Sequence, residues 1–282
     1  MLLSVLHRTV YRYSRPAQAT VQTLRLTPRT EAHQRVRSWR IGAPGALAEH
    51  LDAYGNLTHT LALHAPHDSV AIEVHGEVEV DALDQGRLQD SSGLPPFAYL
   101  AATPLTEPGA RVREFTARHW RGTGRHELLD LAHAVFEALR YEPGHTDAGS
   151  SAERALELGR GVCQDHAHLF IASCRARGVP ARYVSGYYHP GDKPHAASHA
   201  WADAWVEGCG WVSVDITHRG YASDHLARLA VGRDYDSAGP VRGVRQGGGE
   251  ETMEVRVNIR SLPPGAEQPE TAIEPQSKTR AA

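Results

Sequence analysis

Of the chain's three cysteines, Cys163 stands where a glycine-rich turn, Gly159-Arg160-Gly161-Val162, gives way to a helical pattern. The unpaired N–H groups and the dipole of a helix N-terminus stabilise a thiolate, the nucleophilic form of cysteine. Ala167, Phe170, Ile171 and Cys174 follow at helical spacing, so Cys163 heads the buried stripe of a helix that runs to about Arg177. A thiol nucleophile needs a base, and the base needs a group that fixes its tautomer. Both lie downstream: His199 opens the run His199 to Trp205, and Asp215 closes Trp211 to Asp215, with Glu207-Gly208-Cys209-Gly210 between them. Folded as a hairpin, the runs bring His199 and Asp215 close. A turn centred between 208 and 209 pairs positions summing to 417, against 414 for this couple, a mismatch that a bulge or longer loop absorbs. The chemistry of such a set is acyl transfer through a thioester.

Other residues near these three admit plainer roles. Asp165, two residues into the helix, is placed to satisfy backbone N–H groups and secondarily to touch substrate. His166 adjoins the nucleophile's turn and is a candidate to perturb it or to act as a second base. Trp201 falls on a core strand, where packing is the default and a substrate-lining role the alternative. Cys174, in mid-stripe, and Cys209, in a turn, read as structural. The chain has 18 histidines, and Cys163, His166, His168, His195 and His199 could be assembled on paper into a zinc ligand set. His166 and His168 are two apart on a helix and face different sides, so they cannot join Cys163 on one ion. No metal and no other cofactor is expected. His168 is assigned to a solvated helix face, and His189 and His195 to a loop surface.

These residues need elements to position them. From residue 1 to 83 the apolar period is close to two, as in Ile72-Val74-Gly76-Val78-Val80, with turns at Arg15-Pro16, Thr27-Pro28 and Gly42 to Gly45. This predicts an N-terminal antiparallel β-sandwich-like domain over 1–83. Residues 84–108, rich in Gly, Pro, Ser and Asp, read as a linker. From 109 the period becomes helical, over Arg111 to Trp120 and Glu127 to Tyr141, with a third helix capped by Ser151 and ending near Gly159. Strands follow the cysteine helix at Ala181 to Tyr188 and in the two runs above. Residues 109–260 therefore form an α+β core carrying a C-terminal strand, Met253 to Ile259, that could pair with either sheet, and 261–282 a polar tail expected to be disordered.

The stretch GRGVCQDHAHLFIASCRARGVPARYVSGYY (159–188), followed by SHAWADAWVEGCGWVSVDITH (198–218), resembles the core of bacterial transglutaminase-like proteins, a papain-like group often described as candidate cysteine proteases. The N-terminal β-unit is similar to the domain that precedes this core, and YASDHLARLAVGRDYDSAGPVRG resembles the family's C-terminal segment. The resemblance spans residue 1 to about 260. It implies a papain-like, transglutaminase-like α+β fold with Cys163 as nucleophile, the His199 of His-Ala-Trp as base and Asp215 as the third member. Two positions depart from the family pattern: His166 stands where an aromatic such as phenylalanine is usual, and Ile216-Thr217-His218 replaces Pro-Thr-Asn after Asp215. Asp203 takes a position often held by glutamate.

Composition narrows the partners. A net charge of -3 offers no broad basic surface, which argues against nucleic acid. No window nears the ~18 apolar residues of a membrane span, and MLLSVLHRTVYRYS alternates like a strand, so no membrane partner and no signal peptide are expected. An odd cysteine count without framework spacing points to a reducing, cytoplasmic setting. The expected partner is a peptide or protein amide. Hydrolysis is favoured over transfer to an amine, because one β-unit beside the core and a proline-containing loop at 189–197 suggest a narrow cleft. The alternative is a catalytically silent binding module on the same fold.

Overall fold

The computed structural model describes residues 1–89, 93–191 and 197–263. Its first unit is built around one long strand, β1 (Leu2–Leu24), which is too long to stay straight on a small core. The register breaks between Arg12 and Ala17, around Pro16, whose ring removes a ladder donor. The half before the break lies between β5 (His67–Val80) and β14 (Glu251–Leu262), and the half after it between β4 (Leu57–Leu63) and β13 (Val241–Gly247). With β2 (Gln34–Gly42) on β5 and β3 (Leu47–Leu51) on β4, one seven-stranded antiparallel sheet folds over itself. Leu24, Leu26 and Leu61 of one half share a buried cluster with Leu3, Val5, Val74 and Val78 of the other, which makes the unit sandwich-like. Along β5 the buried positions run Val70, Ile72, Val74, Gly76, Val78, Val80, the period of two read from sequence. Gly76 interrupts the branched residues because a Cβ there would stand 2.1 Å from the Trp39 ring.

Two sequence boundaries change. The C-terminal strand, grouped with the core over 109–260, pairs with β1 in the N-terminal sheet, Leu2 opposite Leu262. Residues 261 and 262 therefore belong to a strand, and the tail from 264 lies outside the described residues. The described parts of the 84–108 linker are packed: Leu88 donates its N–H to the Trp211 carbonyl, and Leu88, Tyr99 and Trp211 form a small core of their own.

The second unit sets α1 (Ala110–His119), α2 (Arg125–Ala138) and α3 (Ala152–Leu158) around α4 (Cys163–Ala176). An antiparallel sheet backs them: β11 (Gly220–Tyr221), β10 (Gly210–Asp215), β9 (Ala197–Val206), β8 (Ala181–Tyr188) and β12 (Leu226–Gly232), in that order. Every residue of α4 from Gln164 to Arg175 is buried, so the single stripe expected from sequence is the part of a fully enclosed helix that faces the sheet. The alanines Ala200, Ala202 and Ala204 on β9 allow that close approach. The chain is thus α+β, with an all-β first unit and its α-helices in the second.

The two units meet along β12, whose outer edge would otherwise carry unpaired backbone groups. Side-chain amides cover it. Gln34 accepts the Arg228 N–H at 2.7 Å and donates to the Arg228 carbonyl at 2.9 Å, and Asn56 makes the same pair of bonds to Val231 at 2.9 and 2.8 Å. Among the described residues no helix is long and apolar enough to cross a membrane.

Candidate active site

The turn before α4 is held by two local devices. A two-residue parallel ladder, β6 (Arg140–Tyr141) on β7 (Arg160–Gly161), fixes its path. Asp165 then reaches back so that its Oδ2 accepts the Val162 N–H at 2.7 Å and the Thr146 hydroxyl at 2.7 Å. A Cβ at Gly161 would lie 2.7 Å from the Asp165 Cβ, so glycine is required for that carboxylate to close over the turn. Cys163 is the first residue of α4 and is partly exposed. At that position its backbone N–H has no intrahelical acceptor.

His199 and Asp215 are brought together by strand register. On β9 and β10 directly opposed positions sum to 416, as in Trp211 with Trp205 and Val214 with Ala202. The position facing Asp215 is therefore 201, and His199 is its diagonal neighbour on the same face, two residues along. No bulge is needed; the turn is centred so that the mismatch is two residues rather than three, and a diagonal contact meets it. His199 Nε2 donates to both Asp215 oxygens, at 3.0 and 3.1 Å, in a buried setting. That leaves Nδ1 as the ring nitrogen for Cys163, which lies within hydrogen-bonding reach of His199. Burial disfavours the imidazolium, yet the Asp215 charge and hydrogen bond, with Cys163 adding to them, push His199 up to about 10. For Asp215, burial is likewise outweighed by His199 and His218, which hold its carboxyl well below the usual range.

The remaining sequence candidates fall into place around this pair. Trp201 is 1 % exposed, stacks on His199 with centroids 6.0 Å apart, and donates its indole N–H to Ser213 Oγ at 3.0 Å. It backs the imidazole from the core side. His166 is fully buried; its Nε2 donates to the Leu139 carbonyl at 2.9 Å, so its Nδ1 accepts from the Thr217 hydroxyl at 3.0 Å. Burial lowers its pKa. With both nitrogens engaged, it ties α4 to the end of α2 and to the loop after β10, and has none free to act as a second base.

His168, assigned from sequence to a solvated face, is fully buried; its Nε2 accepts the Tyr235 N–H at 3.2 Å. Residues two apart on α4 are both enclosed because the helix is covered on all sides. His189, expected on a loop surface, is also buried, and His195 lies outside the described residues.

Sequence reasoning did not assign roles to two neighbours of the pair. His218 donates to Asp215 twice, from Nδ1 to Oδ2 at 2.7 Å and from its backbone N–H to Oδ1 at 3.2 Å. Tyr188 stacks on His218 at 4.1 Å and lies 5.6 Å from His199. The departure from Pro-Thr-Asn was the available signal for His218; Tyr188 gave none beyond its place on a strand. Behind Trp201, Asp203 is fully buried between Arg182 Nε at 2.8 Å and Arg228 Nη1 at 2.7 Å, and Arg228 Nε also meets Glu31 at 3.5 Å. His199, Asp215 and His218 offer ligand atoms within 4.8 Å of one another. Hydrogen bonding accounts for this closeness, since each imidazole in the group already donates one ring N–H to the carboxylate.

Comparison with known proteins agrees with the architecture. Residues 113–216 match the transglutaminase-like superfamily, and residues 3–79 match the bacterial transglutaminase-like N-terminal region. An uncharacterized protein of Mycobacterium leprae is 32 % identical over 279 residues, covering 92 % of this chain and 99 % of that protein. A protein-glutamine gamma-glutamyltransferase of Pseudomonas aeruginosa is 30 % identical over 90 residues, which are 29 % of this chain and 14 % of that enzyme. The crystal structure of a candidate cysteine protease from Cytophaga hutchinsonii superposes with a TM-score of 0.76 over 99 % of this chain and 95 % of its own, at 19 % identity. At that identity the likeness is one of fold.

Proposed function

This chain belongs to the transglutaminase-like superfamily, in its bacterial form with a dedicated N-terminal region, and on that premise we propose that Cys163, His199 and Asp215 form a triad that cleaves a peptide or protein amide through an acyl-enzyme. The observation that carries the proposal is the buried His199–Asp215 pair within hydrogen-bonding reach of a partly exposed thiol at the first residue of α4. An imidazolium favoured up to about pH 10 is the partner that a thiolate needs at neutral pH.

In the first half-reaction the Cys163 sulfur attacks the amide carbonyl carbon, forming the C–S bond. The oxyanion receives the Cys163 N–H, free because helix geometry gives it no partner. His199 then hands its Nδ1 proton to the departing nitrogen as the C–N bond breaks. In the second, His199 takes a proton from water, whose oxygen displaces the sulfur. Asp215 holds Nε2–H throughout and so keeps Nδ1 the exchanging atom.

Water is favoured over an amine as the second nucleophile because the site's flank is open to solvent. A basin of about 410 Å³ lined by His133, Glu137, His218 and Arg219 adjoins the histidine bonded to Asp215. Transfer to an amine requires water to be kept from the thioester. The partial match to a protein-glutamine gamma-glutamyltransferase favours transfer as the second reading. Incubation with a glutamine-bearing protein and a labelled amine separates the two. Cys163-dependent amide cleavage without incorporation is expected; durable incorporation would reverse the preference, and neither activity in the presence of a reactive Cys163 would refute both.

A further inference from the structure

The triad's carboxylate has a second imidazole on it. We propose that His218 is a positioning residue for the reaction, holding Asp215 so that it can hold His199; the inference rests on the triad reading above. Both Asp215 oxygens are shared between the two histidines. Oδ1 takes His199 Nε2 at 3.0 Å and the His218 backbone N–H at 3.2 Å, while Oδ2 takes His199 Nε2 at 3.1 Å and His218 Nδ1 at 2.7 Å. A carboxylate only accepts, so His218 carries its proton on Nδ1 in this contact. The bond to His199 is nearly symmetric across the two oxygens, so it does not distinguish one from the other. The shorter bond from His218 Nδ1 pins Oδ2 and with it the setting of the carboxylate about Cβ–Cγ.

The ring of His218 is itself fixed. Tyr188 stacks on one face at 4.1 Å with the planes 25° apart, and the His199 ring lies 5.0 Å away. Tyr188 also lies 5.6 Å from His199, so both imidazoles rest against one aromatic wall. The charge-assisted bond and the stack together bind an otherwise half-exposed side chain. Asparagine, the usual family residue at this place, fits the same account. Its amide nitrogen is separated from Cα by the same number of bonds as histidine Nδ1, so it can present a donor at the same point. Histidine adds the stack on Tyr188.

Two substitutions divide the donor from the ring. His218→Phe keeps an aromatic face for Tyr188 and loses the donor; His218→Asn keeps the donor and loses the ring. Each is measured by turnover of an amide substrate and by the His199 Nε2–H resonance in protein labelled with 15N-histidine, after thermal melting has established that it folds. The expected result for His218→Phe is about a tenfold fall in kcat with KM little changed and a displaced His199 signal. In His218→Asn most of kcat and the His199 signal should return. Equal losses in both variants, or an unmoved His199 resonance in His218→Phe, would overturn the proposal. The resonance needs no substrate, so it decides the positioning role even if the wild-type protein turns over no amide tested and the reaction assignment fails.

Discussion

Removing His199 should expose how much of the reactivity of Cys163 depends on it. In the folded protein His199 is pushed from 6.5 up to about 10, so the imidazolium persists across the whole neutral range and loses its proton only as pH rises through about 10. A neighbouring cation favours the thiolate form of a cysteine over the thiol. Without a cation, an ordinary thiol of pKa ~8.5 is only about 0.3 % ionised at pH 6, roughly 300-fold less than a full thiolate. Nucleophilicity falls with basicity, with a Brønsted slope of ~0.4–0.5, so most of that advantage is returned and a net gap of about 10-fold is expected. Second-order rates of iodoacetamide labelling, mapped by peptide from pH 6 to 9, test this in wild type and His199→Ala. The gap should be widest at pH 6 and close above ~8.5. Cys174 supplies an internal control, because complete burial pushes its thiol far above the ordinary range and keeps it silent. Parallel profiles for the two proteins would refute the ion-pair reasoning, and faster labelling at Cys174 or Cys209 would remove Cys163 as nucleophile.

Asp215→Asn leaves the imidazole in place but frees its tautomer, and kcat on an amide substrate should fall by about 10³- to 10⁴-fold; unimpaired turnover would exclude Asp215 from the mechanism. Asp203→Asn removes the charge set between two buried guanidiniums, so chemical denaturation should read a loss of about 3–5 kcal/mol. Asp203 is lowered from 3.8 to about 2 despite burial, because Arg228 and Arg182 stabilise its charge. In wild type this contribution is therefore present above about pH 4 and lost as pH falls through 2, which acid titration of the denaturation midpoint would show. His166→Phe restores the family's usual aromatic but deprives Leu139 and Thr217 of their partner; a stability loss of about 1–3 kcal/mol with Cys163 labelling unchanged is expected, and lost labelling would make His166 part of the catalytic set.

Cys163, His199 and Asp215 could be picked out as candidates because each is announced by local pattern: a glycine turn ahead of a helix, a strand that opens on histidine, a strand that closes on aspartate. Their contact was less legible, since hairpin arithmetic depends on where the turn is centred. The actual sum of 416 makes the pair diagonal, and only the ladder fixes that sum. His168 was misassigned for a physical reason. Polarity alone puts His168 outside, yet α4 is central in the fold and covered on every face, which no periodicity within its own fourteen residues can report. The C-terminal strand failed for a related reason: an alternating run states that it will pair, and not with which sheet. β14 finds its partner in β1, more than two hundred residues away.

That distant pairing and the amide clamps give the N-terminal sheet a physical relation to the site. β12 is the edge of the catalytic sheet, and Gln34 and Asn56 stand in for the strand it lacks. The same edge delivers Arg228 to Asp203, while Glu31, beside Gln34 in sequence, supplies a second carboxylate to that guanidinium at 3.5 Å. Arg228 Nη2 also reaches Ser213 Oγ at 3.4 Å, the atom that accepts the indole N–H of Trp201. His199, Trp201 and Asp203 alternate on one face of β9, so each is held by a different agent: Asp215, a stacked and hydrogen-bonded ring, and a pair of guanidiniums. Buried charges of this kind are costly when one partner is absent, and here the partners come from three segments that only the complete fold brings together. The strand carrying His199 is therefore ordered by contacts from both units, which meet at the edge where Gln34, Asn56 and Glu31 reach β12.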